Sequence, residues 1–166
     1  MPALLSVLNE ASNPLDQIEE LAMTNEWMVE RDGDDEVNMI IEGGWTDMHL
    51  CINWHRELEG LHLACTFDLK IPAARREEVS RLAALINEQL YFGHFEVWRG
   101  EGVVLFRNGL LLTGGAEASE GQCEALIRLA LDSCERYFPA FQFVIWAGKG
   151  AEEALQSSLL ETVGEA

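Results

Sequence analysis

Two stretches of strict alternation flank residues 57–60. In the first, Met48, Leu50, Ile52 and Trp54 fall on one face of an extended chain, and His49, Cys51, Asn53 and His55 on the other. In the second, Leu61, Leu63, Cys65, Phe67 and Leu69 share one parity, and His62, Ala64, Thr66 and Asp68 share the other. One apolar and one mostly polar face per strand is the pattern of an antiparallel sheet covered on one side only. Facing the apolar sets across the hairpin pairs Trp54 with Leu63, Ile52 with Cys65, Leu50 with Phe67 and Met48 with Leu69, leaving Leu58-Glu59 as the loop. A one-residue slip would turn half of these side chains to water, at roughly 1.5–3 kcal/mol each, so the parity is fixed.

The rest of the chain reads outward from this hairpin. Residues 1–12 show neither strand nor helix pattern and are expected to be a tail. Asn13 and Pro14 begin a helix, with Leu15, Ile18, Leu21 and Ala22 as its buried stripe and an end near Thr24-Asn25. Trp27 to Arg31 and Glu36 to Glu42 read as strands joined at Asp32-Gly33-Asp34-Asp35. Beyond Pro72, Val79, Leu82, Ala83, Ile86 and Leu90 recur at helical spacing through residues 73–92, and Gly93 supplies a stop. Arg75 and Arg76 sit in the first turn of this helix, where the dipole disfavours cations. They are expected to answer a carboxylate elsewhere, with an acidic partner as the alternative.

His94 to Arg99 and Val103 to Leu112 read as a further strand pair, with Asn108-Gly109 as a bulge or bend. Ser119, with Gln122 in the capping-box position, starts a long helix whose apolar surface includes Leu126, Ile127, Leu129, Ala130, Cys134, Tyr137 and Phe138. A helix apolar over so much of its circumference is buried on two sides, within the fold or against a second subunit. Leu126, Leu129 and Tyr137 are the residues expected at a subunit contact. Pro139 is expected to kink or end this helix; residues 141–148 fit either a resumed helix or a strand, with helix preferred, and 151–160 form a last helix.

Charge and chemistry narrow the function. The formal net charge is -18, which disfavours nucleic acid and anionic membranes as partners and suits a basic or aggregation-prone protein partner. The N-terminal stretch lacks the basic and long apolar regions of a signal peptide, and no apolar run approaches the ~20 residues that span a bilayer. The four cysteines form no CxxC pair. Cys51 and Cys65 face opposite ways, and Cys123 and Cys134 lie roughly 16 Å apart along a helix, so all are expected as reduced thiols in a cytoplasmic protein. His55 and His62 are cross-strand neighbours, but two ligands are too few for a structural zinc site. His49 stands about 20 Å from His55 along the strand, too far to join them. No nucleophile elbow, phosphate loop or dinucleotide fingerprint is present. No catalytic residue, metal or cofactor is assigned; an enzyme or metal-dependent sensor using the His-bearing face of the 46–71 hairpin is the alternative.

The segments TFDLKIPAARREEVSRLAALINEQLYFGHFEVW and CERYFPAFQFVIWAGKGAEEAL, with NPLDQIEELA, resemble the YbjN family of bacterial sensory transduction regulators. The resemblance runs from Asn13 over nearly the whole chain and carries no catalytic residues. It implies an α+β fold, a curved antiparallel sheet with helices packed on one face, similar to the type III secretion chaperones, which are commonly dimeric. It implies one domain over residues 13–166, and a non-enzymatic role in protein interaction, chaperone-like or regulatory in stress or sensory signalling. A homodimer is the expected assembly, and the protein partner is left open.

Overall fold

The computed structural model describes residues 13–164, with side chains to Leu160; the tail expected at 1–12 lies outside them. The described elements are α1 (Pro14–Thr24), β1 (Met28–Asp32), β2 (Glu36–Glu42), β3 (Asp47–His55), β4 (Gly60–Phe67), α2 (Arg76–Asn87), β5 (His94–Trp98), β6 (Val103–Leu111), α3 (Glu120–Ile145) and α4 (Ala151–Gly164). The strands form one six-stranded antiparallel sheet in the order β1-β2-β3-β4-β6-β5. α1 and α3 lie on its apolar face, α2 packs on β5, and α4 packs on α2 and α3.

Local signals set most boundaries. Asn13 accepts the Leu15 N–H at 3.0 Å and Pro14 occupies the first turn, so α1 starts where a cap and a pre-set φ coincide. Ser119 and Gln122 form the reciprocal capping box at the start of α3. The sheet floor is the predicted apolar parity: Met48, Leu50, Ile52, Leu61, Leu63 and Cys65 are all buried. Phe67, Phe95, Phe106, Tyr137, Phe138 and Phe141 join floor to helix, with ring centroids 5.2–5.9 Å apart.

The hairpin register differs from expectation by two residues. Trp54 faces Leu61, Ile52 faces Leu63, Leu50 faces Cys65 and Met48 faces Phe67. A shift of two keeps every side chain on its face, so alternation is blind to it; the turn decides. A two-residue loop needs residues at ease with positive φ, which Leu58-Glu59 does not supply. The chain instead makes a 3₁₀ turn over Arg56–Leu58, closed by Glu59 alone at φ 49°.

Three other expectations are corrected. α2 is shorter than 73–92: Ala73–Arg75 is a separate 3₁₀ turn, and Tyr91 and Phe92 are exposed beyond the helix end. β6 pairs with β4 without a bulge; Asn108 faces Leu63 and Gly109 faces His62. A side chain at Gly109 would come within 3.1 Å of the Leu61 carbonyl oxygen, so close approach rather than a bend selects glycine. Pro139 does not end α3, which runs on to Ile145. A proline inside a helix costs about 3 kcal/mol, whereas Phe141, Val144 and Ile145 beyond it are buried at roughly 1.5–3 kcal/mol each. Burial therefore wins over the lost hydrogen bond.

Arg75 and Arg76 meet carbonyl groups rather than the expected carboxylate. Arg75 Nε donates to the Val144 carbonyl at 2.9 Å, and Nη2 to that of Lys149 at 2.7 Å. A cation misplaced at the start of α2 is thus well placed at the C-terminal, negative end of α3. Arg76 donates to the Ile71 and Arg99 carbonyls, tying the β5–β6 turn to the segment after β4. One turn on from Arg75, Glu78 Oε1 accepts the Ala151 N–H at 2.7 Å and caps α4.

Candidate protein-interaction surfaces

Among the described residues, helices cover one face of the sheet and none lies on the other. The register places side chains on this open face in rows across the strands. One row is Met28, Ile40, His49, Thr66, Leu105 and Glu96; the next is Glu30, Asn38, Cys51, Ala64, Arg107 and His94. The middle strands β3 and β4 thus carry the small side chains Cys51, Ala64 and Thr66 beside His49, Asn53 and His62, while the larger apolar ones stand on the flanks. The result is a trough of about 780 Å³. Leu105 lies on this face with no helix above it, yet is only 1% exposed, as a concave surface requires. Met28 and Trp98, at 69% and 45% exposure, stand on opposite walls.

The polar groups of the trough are tied to one another. Glu36 accepts from Asn38 Nδ2 at 2.8 Å and Asn53 Nδ2 at 3.0 Å, and these bonds hold its carboxyl below the usual range. Arg107 donates to Glu96 Oε2 at 2.8 Å and to His62 Nε2 at 2.9 Å. The hydrogen bond from Arg107 holds Glu96 below the usual carboxylate range. Burial, then the Arg107 charge, pushes His62 below 6.5. Burial raises the Cys51 thiol, so it is not an activated nucleophile.

All four histidines, His49, His55, His62 and His94, lie on this face. They do not converge: His55 is opposite Gly60 rather than His62, whose ring centroid is 6.3 Å away. His62 Nε2 is already taken by Arg107. Among the described residues no three His, Cys, Asp or Glu side chains are grouped to hold a metal ion.

The titration of His62 has a consequence for stability. The folded state favours its neutral form, so the unfolded chain takes up that proton first as the pH falls through 6.5. Stability drops there, and drops again below the usual carboxylate range as Glu36 and Glu96 are protonated. His62→Gln keeps an acceptor for Arg107 and removes the first step. Its melting temperature is expected to fall less between about pH 7 and about pH 5 than that of the wild type. Parallel melting-temperature profiles would show that His62 is not the source.

A second surface lies at the end of β6. β5 pairs only with Val103 to Arg107, so among the described residues no strand pairs with 108–111 on that side, and they form a bare edge. Beside it is a pocket of about 350 Å³ lined by this edge together with Phe92, Gln122, Ala125, Leu126 and Leu129. None of its lining residues is charged.

The sequence-predicted contact residues divide between core and surface. Leu129 is half-buried and lines the pocket, with Leu126 deeper at 6% exposure. Tyr137 is inside the fold at 2% exposure, its hydroxyl donating to Gln89 Oε1 at 3.2 Å. Arg75 and Arg76 are engaged on carbonyls as described. The trough and the bare edge were missed, because both depend on β6 lying between β4 and β5. The signal at hand was Phe92, an apolar residue outside every predicted stripe.

The sequence model of the YbjN family, described as "Putative bacterial sensory transduction regulator", matches residues 14–143. No curated protein matches the chain. Among solved structures, a chain of the "Crystal Structure of the ExsC-ExsE Complex" is 18% identical and superposes with a TM-score of 0.56, over 77% of this chain and 92% of that one. At this identity the likeness is one of fold, the α+β arrangement of the type III secretion chaperones. Among the described residues no helix is long and apolar enough to cross a membrane.

Proposed function

The chain belongs to the YbjN family, whose description is that of a regulator and not of an enzyme, and on that footing we propose that it acts as a chaperone-like or regulatory protein-interaction module working as a homodimer. The solved structure it resembles is that of a protein–protein complex, which supports the same reading. The reading takes residues 13–166 as a single domain, supported by one sheet and one buried core. It places the protein in the cytoplasm, supported by four unbridged cysteines.

The observation that carries the dimer is the uncharged pocket beside the bare β6 edge. Two copies of a chain with net charge -18 repel each other over most of their surface. They can approach where charge is absent, and residues 108–111 offer a strand edge for an antiparallel strand from a second copy, which would take the Gly109 N–H from the Asn108 side chain that now accepts it. Such a pairing is self-complementary about a two-fold axis. Leu126 and Leu129 would lie beneath it.

Light scattering is expected to give twice the 18.6 kDa of one chain for the wild type. Leu129→Glu, at a half-buried position, is expected to give the monomer mass with an unchanged circular dichroism spectrum. A wild-type monomer mass at high concentration would remove the dimer.

A further inference from the structure

We infer that the open face of the sheet is a docking trough for an amphipathic helix of a partner protein, apolar along one side and flanked by lysine or arginine. This deepens the protein-interaction reading and rests on it, but not on the dimer. The argument begins with width. Ile40 on β2 and Leu105 on β6 are separated by three strand spacings, because β3 and β4 lie between them. That is about 14 Å, and an α-helix with its side chains is about 10–12 Å across. On the floor, Cys51, Ala64 and Thr66 leave room for side chains pointing down between His49 on one side and Asn53 and His62 on the other. Met28, Ile40 and Trp98 are the apolar flanks they would meet.

Backbone chemistry decides between helix and strand. An extended segment laid over the floor would need partners for its N–H and C=O groups. β3 and β4 cannot supply them, since each is already paired on both sides. A helix satisfies its own backbone and presents only side chains.

Charge decides the kind of helix. Glu30 and Glu101 line the trough, and Asp32, Glu42 and Asp47 border it on the same face. Its cation, Arg107, is neutralised by Glu96. Basic flanks on the incoming helix would complement this rim, whereas an acidic surface disfavours nucleic acid and anionic lipid.

The test is fluorescence anisotropy with a labelled synthetic helix of leucine, alanine and lysine, arranged so that the lysines flank an apolar stripe. Saturable binding is expected. A peptide of identical composition in shuffled order, and one with glutamate in place of lysine, are expected to bind at least about tenfold more weakly. Ala64→Trp fills the floor and Ile40→Lys alters a wall; both positions are solvent-accessible, and each variant is expected to weaken binding by a similar factor. Leu129→Glu, away from the trough, is expected to bind as the wild type does. The inference is overturned if the amphipathic peptide fails to bind, if the shuffled peptide binds equally, or if both trough variants retain full affinity. A failure here alongside a dimeric mass would sink the trough and leave the dimer standing.

Discussion

Gly93→Ala is expected to destabilise the protein by about 2–5 kcal/mol, the sum of a left-handed backbone term of ~1–2 and an overpacking term of ~1–3. Gly93 has φ 73°, a conformation that side chains other than glycine's rarely adopt. A Cβ there would lie 2.2 Å from Phe106 Cζ. The ring cannot swing away, because Phe106 is fully buried and stacked edge-on against Phe95 at 5.4 Å. In a chain of this length each kcal/mol shifts the melting temperature by about 2–4 °C, so the loss is readable by thermal melting. Shortening the ring separates the two terms. Phe106→Leu in the Gly93→Ala background should recover the clash but not the backbone term, giving a coupling of at least about 1 kcal/mol. Strict additivity of the two substitutions would show that Gly93 is kept for its conformation alone.

Arg75→Met is expected to cost about 2–3 kcal/mol in urea unfolding, as charged hydrogen bonds are lost and carbonyl groups left unpaired. The Val144 and Lys149 carbonyls lie where α3 ends and the chain turns into α4. Methionine preserves the packing of the side-chain stem and removes every donor, so the difference reports the hydrogen bonds. Arg75→Lys should restore part of the loss, because a single ammonium cannot span both carbonyls as the guanidinium fork does. A loss below about 0.5 kcal/mol for Arg75→Met would mean that water satisfies the carbonyls equally well.

The same arginine shows where sequence reasoning stops. Its place at the start of a helix is locally unfavourable, and that much is visible in the residues. The compensation is not, because the carbonyls it meets are 69 and 74 positions away, one in the last turn of a helix that continues through Pro139 and one in the segment beyond it. Parity along β3 and β4 assigned every core residue of the hairpin to its face, since burial has the period of the strand. It could not give the register, because a shift of two residues changes no face. The buried half of the molecule was therefore legible from Leu50, Leu63, Val79 and Ile127 onward. The interaction surfaces were less so: a trough floored by Cys51 and Ala64 needs the walls on β2 and β6 before it exists.

The position of β6 between β4 and β5 also orders the assembly of the chain. β1 to β4 are joined in sequence by short turns and can zip up as successive hairpins, and β5 and β6 form a hairpin of their own. The two arrays meet only through β4 and β6, whose partners run from Thr66 with Leu105 to Gly60 with Leu111, 39 to 51 positions apart. Closing loops of that length is entropically slower than forming a tight hairpin. The pairing of β4 with β6, sealed from above by α3, is then the late step that turns two half-sheets into one. The floor on β3 and β4 and the wall on β1 and β2 belong to the first half-sheet, and the trough exists only when that step adds the wall on β5 and β6.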